Sequence, residues 1–155
     1  MKKIIISLTL ILSISFADGF SGLSYFGYSN DGGFELTRTY LTYDKNISDE
    51  MSFKFQTDVG QIGDNRWDIY LKKAQLDWKI SSTEKYSMGL IGNNMFNIQE
   101  KTWGKRFIAK SALDKSGWGI SAADLGIGYS YNNKNTSISL LLTNGEGYKN
   151  SDSDG

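Results

Sequence analysis

The 155-residue chain has no cysteine, no histidine and no proline. Without His or Cys there is no Ser-His-Asp triad, no thiol nucleophile and no zinc site of the usual nitrogen and sulfur kind. Without Cys no disulfide framework holds the fold. Charge of one sign is also missing: 17 basic residues face 17 acidic ones, so the basic footprint of a nucleic-acid binder is absent. No base of suitable pKa is available without His and no paired-carboxylate spacing stands out, so an enzyme is the weakest reading. No calcium loop of the Asp-x-Asp-x-Asp-Gly kind appears, and neither metal nor cofactor is expected. What is abundant is glycine, 17 residues and above the ~7% average, together with nine Tyr, eight Phe and four Trp. Disordered chains are depleted in aromatics, so this composition suits one β-rich domain with many tight turns.

The N-terminus reads as an export signal. Lys2 and Lys3 precede an apolar stretch from Ile4 to Phe16, and Ser15-Phe16-Ala17 offers small residues where a signal peptidase reads. As a helix the stretch spans only about 20 Å, short of the ~30 Å hydrocarbon core, which argues against a membrane anchor. Residues 1–17 are therefore assigned to a cleaved signal peptide and 18–155 to the folded part. Losing Lys2 and Lys3 takes the formal charge from zero to −2. No later run approaches 18 apolar residues. An exported chain of this kind is either a soluble secreted domain or a β-barrel in an outer membrane.

Period-two alternation dominates the rest of the chain. In Met51 to Gly60 the residues Met51, Phe53, Phe55, Thr57 and Val59 share one face, and Ser52, Lys54, Gln56 and Asp58 share the other. In Ala123 to Tyr131 the odd positions are apolar, opposite Asp124, Gly126, Gly128 and Ser130. Such runs are half-buried strands of the length that spans a bilayer. Seven strands are predicted, at 19–28, 33–45, 50–60, 66–80, 84–96, 118–131 and 135–144. Turn-forming residues separate them at 30–33, 45–49, 63–65, 81–83 and 132–135. The one long connection, Asn97 to Gly117, falls on an external position of a barrel, where long loops belong. Trp67 and Trp78, eleven residues apart on one strand, would stand roughly 26 Å apart in height, matching the aromatic girdles of an outer-membrane barrel.

Two strands break parity, each at a charge. Phe34 and Leu36 lie on the even face but Leu41 and Tyr43 on the odd one. Trp67, Ile69 and Leu71 are odd, whereas Ala74, Leu76, Trp78 and Ile80 are even. A bulge near Thr37-Arg38 and another at Lys72-Lys73 restore one apolar face and turn Arg38, Lys72 and Lys73 inward. Without the second bulge a lysine would face lipid near mid-height, at a cost of about 2–4 kcal/mol. The inward set then comprises Arg38, Lys54, Gln56, Asp58, Asp68, Lys72, Lys73, Gln75, Asp77, Lys79 and Asp124. The long loop carries Lys101, Lys105, Arg106, Lys110 and Lys115 against Glu100 and Asp114, a net +3. Its part from Lys105 to Ser116 reads as a short helix with Arg106 and Lys110 four residues apart on one face. Folded inward, it would bias a pore toward anions; solvated outside, it would not.

Two stretches carry a resemblance. Phe34 to Gly60 resembles the early hairpin of bacterial outer-membrane porins, most nearly the phosphate-selective porin (O and P type) family. Phe34, Leu36, Arg38 and Leu41 match in its first strand, and Phe53, Phe55, Asp58 and Gly60 in its second. Gly89 to Glu100, GLIGNNMFNIQE, is similar to the strand that leaves the membrane through a Gly, a Phe and a Glu before the long loop. Thr37 stands where the family often has a second arginine. The resemblance implies a water-filled antiparallel transmembrane β-barrel in the outer membrane, associated with its lipid, passing small hydrophilic or anionic solutes, and a homotrimer. Seven strands and a polar tail from Lys149 to Gly155 read as the N-terminal part of a larger barrel, since single-chain bacterial barrels have even strand numbers. A small eight-stranded barrel with a side-chain-filled interior and a structural or adhesive role is the alternative. A soluble secreted binding domain is the third.

Overall fold

The computed structural model describes residues 19–30, 33–62, 66–116 and 120–149. The signal-peptide assignment and the turns at 31–32 and 63–65 lie outside the described residues. The chain is all-β in its framework: β1 (Phe20–Ser29), β2 (Gly33–Asn46), β3 (Met51–Ile62), β4 (Arg66–Lys79), β5 (Glu84–Gly92), β6 (Ala123–Asn132) and β7 (Ser137–Thr143). They form one sheet in sequence order, every neighbouring pair antiparallel. Among the described residues the sheet is not closed, and β1 and β7 are its two edges.

Three connections at one end share a device. In the β2–β3 turn the Ser48 hydroxyl accepts from the amides of Glu50 and Met51. In the β4–β5 turn Ser81 accepts from Thr83 and Glu84, and in the β6–β7 turn the Asn133 side chain accepts from Asn135 and Thr136. A short polar side chain bonding to its own backbone two and three residues on is what closes a tight turn. These are the turn residues expected at 45–49, 81–83 and 132–135.

Both parity breaks are bulges. Tyr25 pairs with Arg38 and Phe26 with Leu36, so Thr37 is the extra residue in β2. Gln56 pairs with Lys73 and Thr57 with Leu71, so Lys72 is the extra residue in β4. The register then separates two faces. The outer face carries Phe55, Leu71, Trp78, Met88, Ile127 and Leu140; the inner face carries Tyr40, Asp58, Lys72, Lys73, Gln75 and Asp124. Burial inverts the usual order. On the outer face Ile69 is 73% exposed and Leu142 71%, whereas Asp58 on the inner face is 0% exposed. Among the described residues the buried apolar side chains are Ile91, Phe96, Leu113 and Ala123, grouped around the β5–β6 connection.

That connection corrects three expectations. β5 ends at Gly92, and the predicted extension of this strand to 96 is instead the start of a helix, α1 (Asn94–Trp103). The Asn93 side chain accepts from the Met95 amide and caps α1, which closes at Gly104 in the left-handed conformation (φ 60°) with its amide on the Glu100 carbonyl. An N-cap asparagine satisfies a helix-end donor that a strand would not leave free. The predicted helix from 105 to 116 is mostly turn: only α2 (Ala112–Lys115) is helical, because Ser111 caps it in the middle of that run. The predicted sixth strand starts late, at Ala123. No helix among the described residues is long and apolar enough to cross a membrane, which says nothing of a β-barrel.

Candidate functional site

The inner face is organised around Asp58. Cross-strand pairing sets Tyr40 on one side of it and Tyr70 on the other. Its Oδ2 accepts from Arg38 Nη1 at 2.5 Å and from the Tyr148 hydroxyl at 3.0 Å, with Lys72 Nζ 3.9 Å away. Lys72 Nζ donates to the Tyr40 hydroxyl at 3.0 Å. A fully buried carboxylate is tolerated only when it is paired and hydrogen-bonded; Arg38 and Lys72 lie two residues along from its cross-strand partners Tyr40 and Tyr70, on the same face of the sheet. Among the described residues its other oxygen, and the Tyr70 hydroxyl, have no hydrogen-bond partner.

Toward the turn end the inner face is made of ion pairs and amides. Lys54 meets Asp44 at 2.8 Å. Asp77 accepts from Lys85, Ser87 and Gln75, and Gln75 in turn accepts from the Gly92 amide. Gln56 donates to Thr42. Opposite signs alternate here, so this end carries little net field.

Two covering segments fold over the other end. In the β5–β6 connection Arg106 lies between Glu100 at 3.5 Å and Asp114 at 3.1 Å, and the Gln99 side chain accepts from the Leu113 amide. The second segment is 144–149, a strap following β7. Asp124, 7% exposed, accepts from the amides of Gly145 and Gly147. Gly145 (φ 102°) and Gly147 (φ 81°) hold left-handed conformations that favour glycine, and a β-carbon on Gly147 would fall 2.5 Å from the Ser121 β-carbon. The strap thereby delivers Tyr148 to Asp58, ninety positions earlier in the chain. Burial, then the neighbouring Asp58 charge, raises the Tyr148 phenol above its ordinary value. Burial, then Arg38, lowers the Lys149 ammonium. Lys149 Nζ stands over the Tyr70 ring, 5.0 Å from its centre.

Between sheet, connection and strap lies a cavity of about 450 Å³. Of the sequence-predicted residues, Arg38, Lys72, Lys73, Arg106 and Lys110 line it, and Asp58 lies buried beneath. Lys73 reaches over Gly92, where a β-carbon would come within 2.9 Å of its Nζ, and also borders a smaller cavity with Lys54. Asp68 pairs with Gly60 near the far strand end, outside the cluster. Lys101 and Lys105 are exposed and stand apart from the cavity. Arg106 and Lys110 do not share a helix face; Arg106 is engaged by both of the loop's carboxylates, so the loop's net +3 is carried by its lysines. Trp67 and Trp78 are on the outer face, 47% and 46% exposed. Sequence reasoning missed Tyr40, Phe96, Tyr148 and Lys149. The spaced glycines before Tyr148 were the one local signal of the strap.

Comparison of the chain with protein-family models, with curated proteins and with solved structures finds no match.

Proposed function

We propose that the chain is part of an outer-membrane β-barrel whose water-filled interior passes small hydrophilic solutes by passive diffusion, with a bias toward anions. One observation carries this reading: the sheet is inside-out. A contiguous apolar face is exposed while a buried carboxylate, Arg38 and several lysines occupy the covered face. In water such a surface would aggregate; against lipid it is the expected outer wall, and the ionic face is the expected lumen. Closed sheets satisfy every strand edge in a membrane, so further strands would complete the wall between β7 and β1. The homotrimer rests on the porin resemblance alone, and chemical cross-linking in intact outer membranes tests it.

A second reading has its own support. The strap and the β5–β6 connection crowd the lumen, which favours a small, non-conducting barrel with a structural or adhesive role. Conductance separates the two. The full-length protein should fractionate with the outer membrane, shift mobility on heating in detergent and open ohmic channels in planar bilayers. Recovery as a soluble periplasmic monomer overturns both readings; membrane recovery with no current leaves the non-conducting barrel.

A further inference from the structure

We propose that the strap-covered cavity binds a small monoanion with an apolar body, of the aromatic carboxylate class, in preference to a compact multivalent oxyanion. The inference builds on the channel reading, which supplies the route, but binding does not require conduction.

Both guanidiniums at the cavity are already engaged. Arg38 is held by Asp58, and Arg106 by Glu100 and Asp114. Neither presents the free planar fork that recognises phosphate or paired oxygens bidentately. Of the cations lining the cavity, those without a carboxylate partner among the described residues are Lys73, Lys110 and Lys149. These are point charges on flexible stems, which attract an anion without imposing geometry.

Charge balance makes the cavity attractive to anions. Six cationic side chains line the cavity against Glu100, Asp114 and Glu146, with Asp58 beneath, leaving a net +2. This excess draws anions in, and it sits on lysine ends and not on a free guanidinium fork. The uncharged wall mixes Gln56, Asn97 and Ser121 with an apolar part made by Phe96, only 5% exposed, Ile120 and the rings of Tyr40 and Tyr148. Small-ligand sites combine such walls with a few fixed polar groups, and about 450 Å³ lies within their usual volume range. A ring stacked on Phe96 with its carboxylate among the lysines uses both the apolar part of this lining and its unpaired cations.

The test is titration calorimetry of the full chain refolded in nonionic detergent, at low salt, with empty micelles subtracted. Benzoate, acetate, inorganic phosphate and benzylamine are the probes. Benzoate should bind at least tenfold more tightly than acetate or phosphate, and benzylamine should not bind. Phe96→Leu, which keeps the site apolar and filled, should retain part of the benzoate advantage, and Phe96→Ala should remove it. Lys110→Gln should weaken benzoate and acetate alike. Phosphate or acetate matching benzoate, benzylamine binding as well, or benzoate affinity unchanged in both Phe96→Ala and Lys110→Gln would each overturn the proposal. Benzoate binding without channel current would leave the site standing and remove the channel. Current without benzoate binding would do the reverse.

Discussion

Lys72 is the extra residue of the β4 bulge, so deleting it should be tolerated where deleting a neighbour is not. With Lys72 absent, Leu71 and Lys73 become consecutive, and their partners Thr57 and Gln56 already are. Trp67, Ile69 and Leu71 keep the outer face, as do Ala74, Leu76 and Trp78. The loss is the Lys72–Tyr40 hydrogen bond and the 3.9 Å approach to Asp58, about 1.5–3 kcal/mol for a bond to a charged group. Asp58 keeps Arg38 and Tyr148. Deleting Gln75 instead is absorbed most cheaply by straightening the bulge, which sets Lys73 opposite Phe55 on the lipid face. That costs about 2–4 kcal/mol near mid-height, plus about 1 kcal/mol for each of the two hydrogen bonds Gln75 makes. The expected penalties are thus about 1.5–3 against about 4–6 kcal/mol. Urea unfolding from lipid vesicles, followed by tryptophan fluorescence, measures both. As a companion readout, cysteine at position 73 should react with a small polar thiol reagent in the wild-type background and be protected when Gln75 is deleted. If removing Lys72 proves as damaging as removing Gln75, or if cysteine 73 is protected from the start, the bulge does not set the two faces.

Three further outcomes are expected. Asp58→Asn should destabilise by about 3–5 kcal/mol, the range for breaking a buried pair, and in a cycle with Arg38→Met the double variant should lose less than the sum of the singles. In salt-gradient reversal potentials Lys110→Gln should shift selectivity toward cations, and Arg106→Gln should shift it at least as far, since it leaves Glu100 and Asp114 without their cation; an unchanged potential in both would place the connection outside the current path. The Tyr148 phenol is raised above 10.0 by burial and Asp58, so its bond to Asp58 should contribute fully below pH 10 and be lost as pH climbs through the folded value. Ultraviolet difference titration of wild type against Tyr148→Phe reads this, and normal ionisation of Tyr148 near pH 10 would show that the strap does not hold it.

Local alternation was enough to place the seven strands, because a strand's two faces are written into successive residues. Lys72 and Thr37 were also legible as bulge positions: when an apolar face changes parity at a charge, one inserted residue restores the face and keeps the charge out of lipid. The short turns followed from Ser48, Ser81 and Asn133, which need only their own backbone. α1 was not legible, since Met95, Phe96 and Ile98 continue a mixed apolar pattern that a strand or a helix would accept, and Asn93 decided it by capping.

Pairings between distant segments were beyond the reach of the chain's own pattern. Nothing near Arg106 in the predicted helix indicated that Glu100 and Asp114 would neutralise it, because the turn at 105–109 brings them together only after the connection has folded. Asp58 stood among several inward polar residues; its place at the centre depends on Arg38, Lys72 and Tyr148 arriving from three other segments. The sequence alone determined an alternating β-chain with one apolar and one ionic face, since those properties repeat every two residues. Which charges are engaged with one another, and which remain to meet a solute, was decided by the tertiary structure, because electrostatic pairing depends on distances of a few ångströms between residues as far apart in sequence as Asp58 and Tyr148.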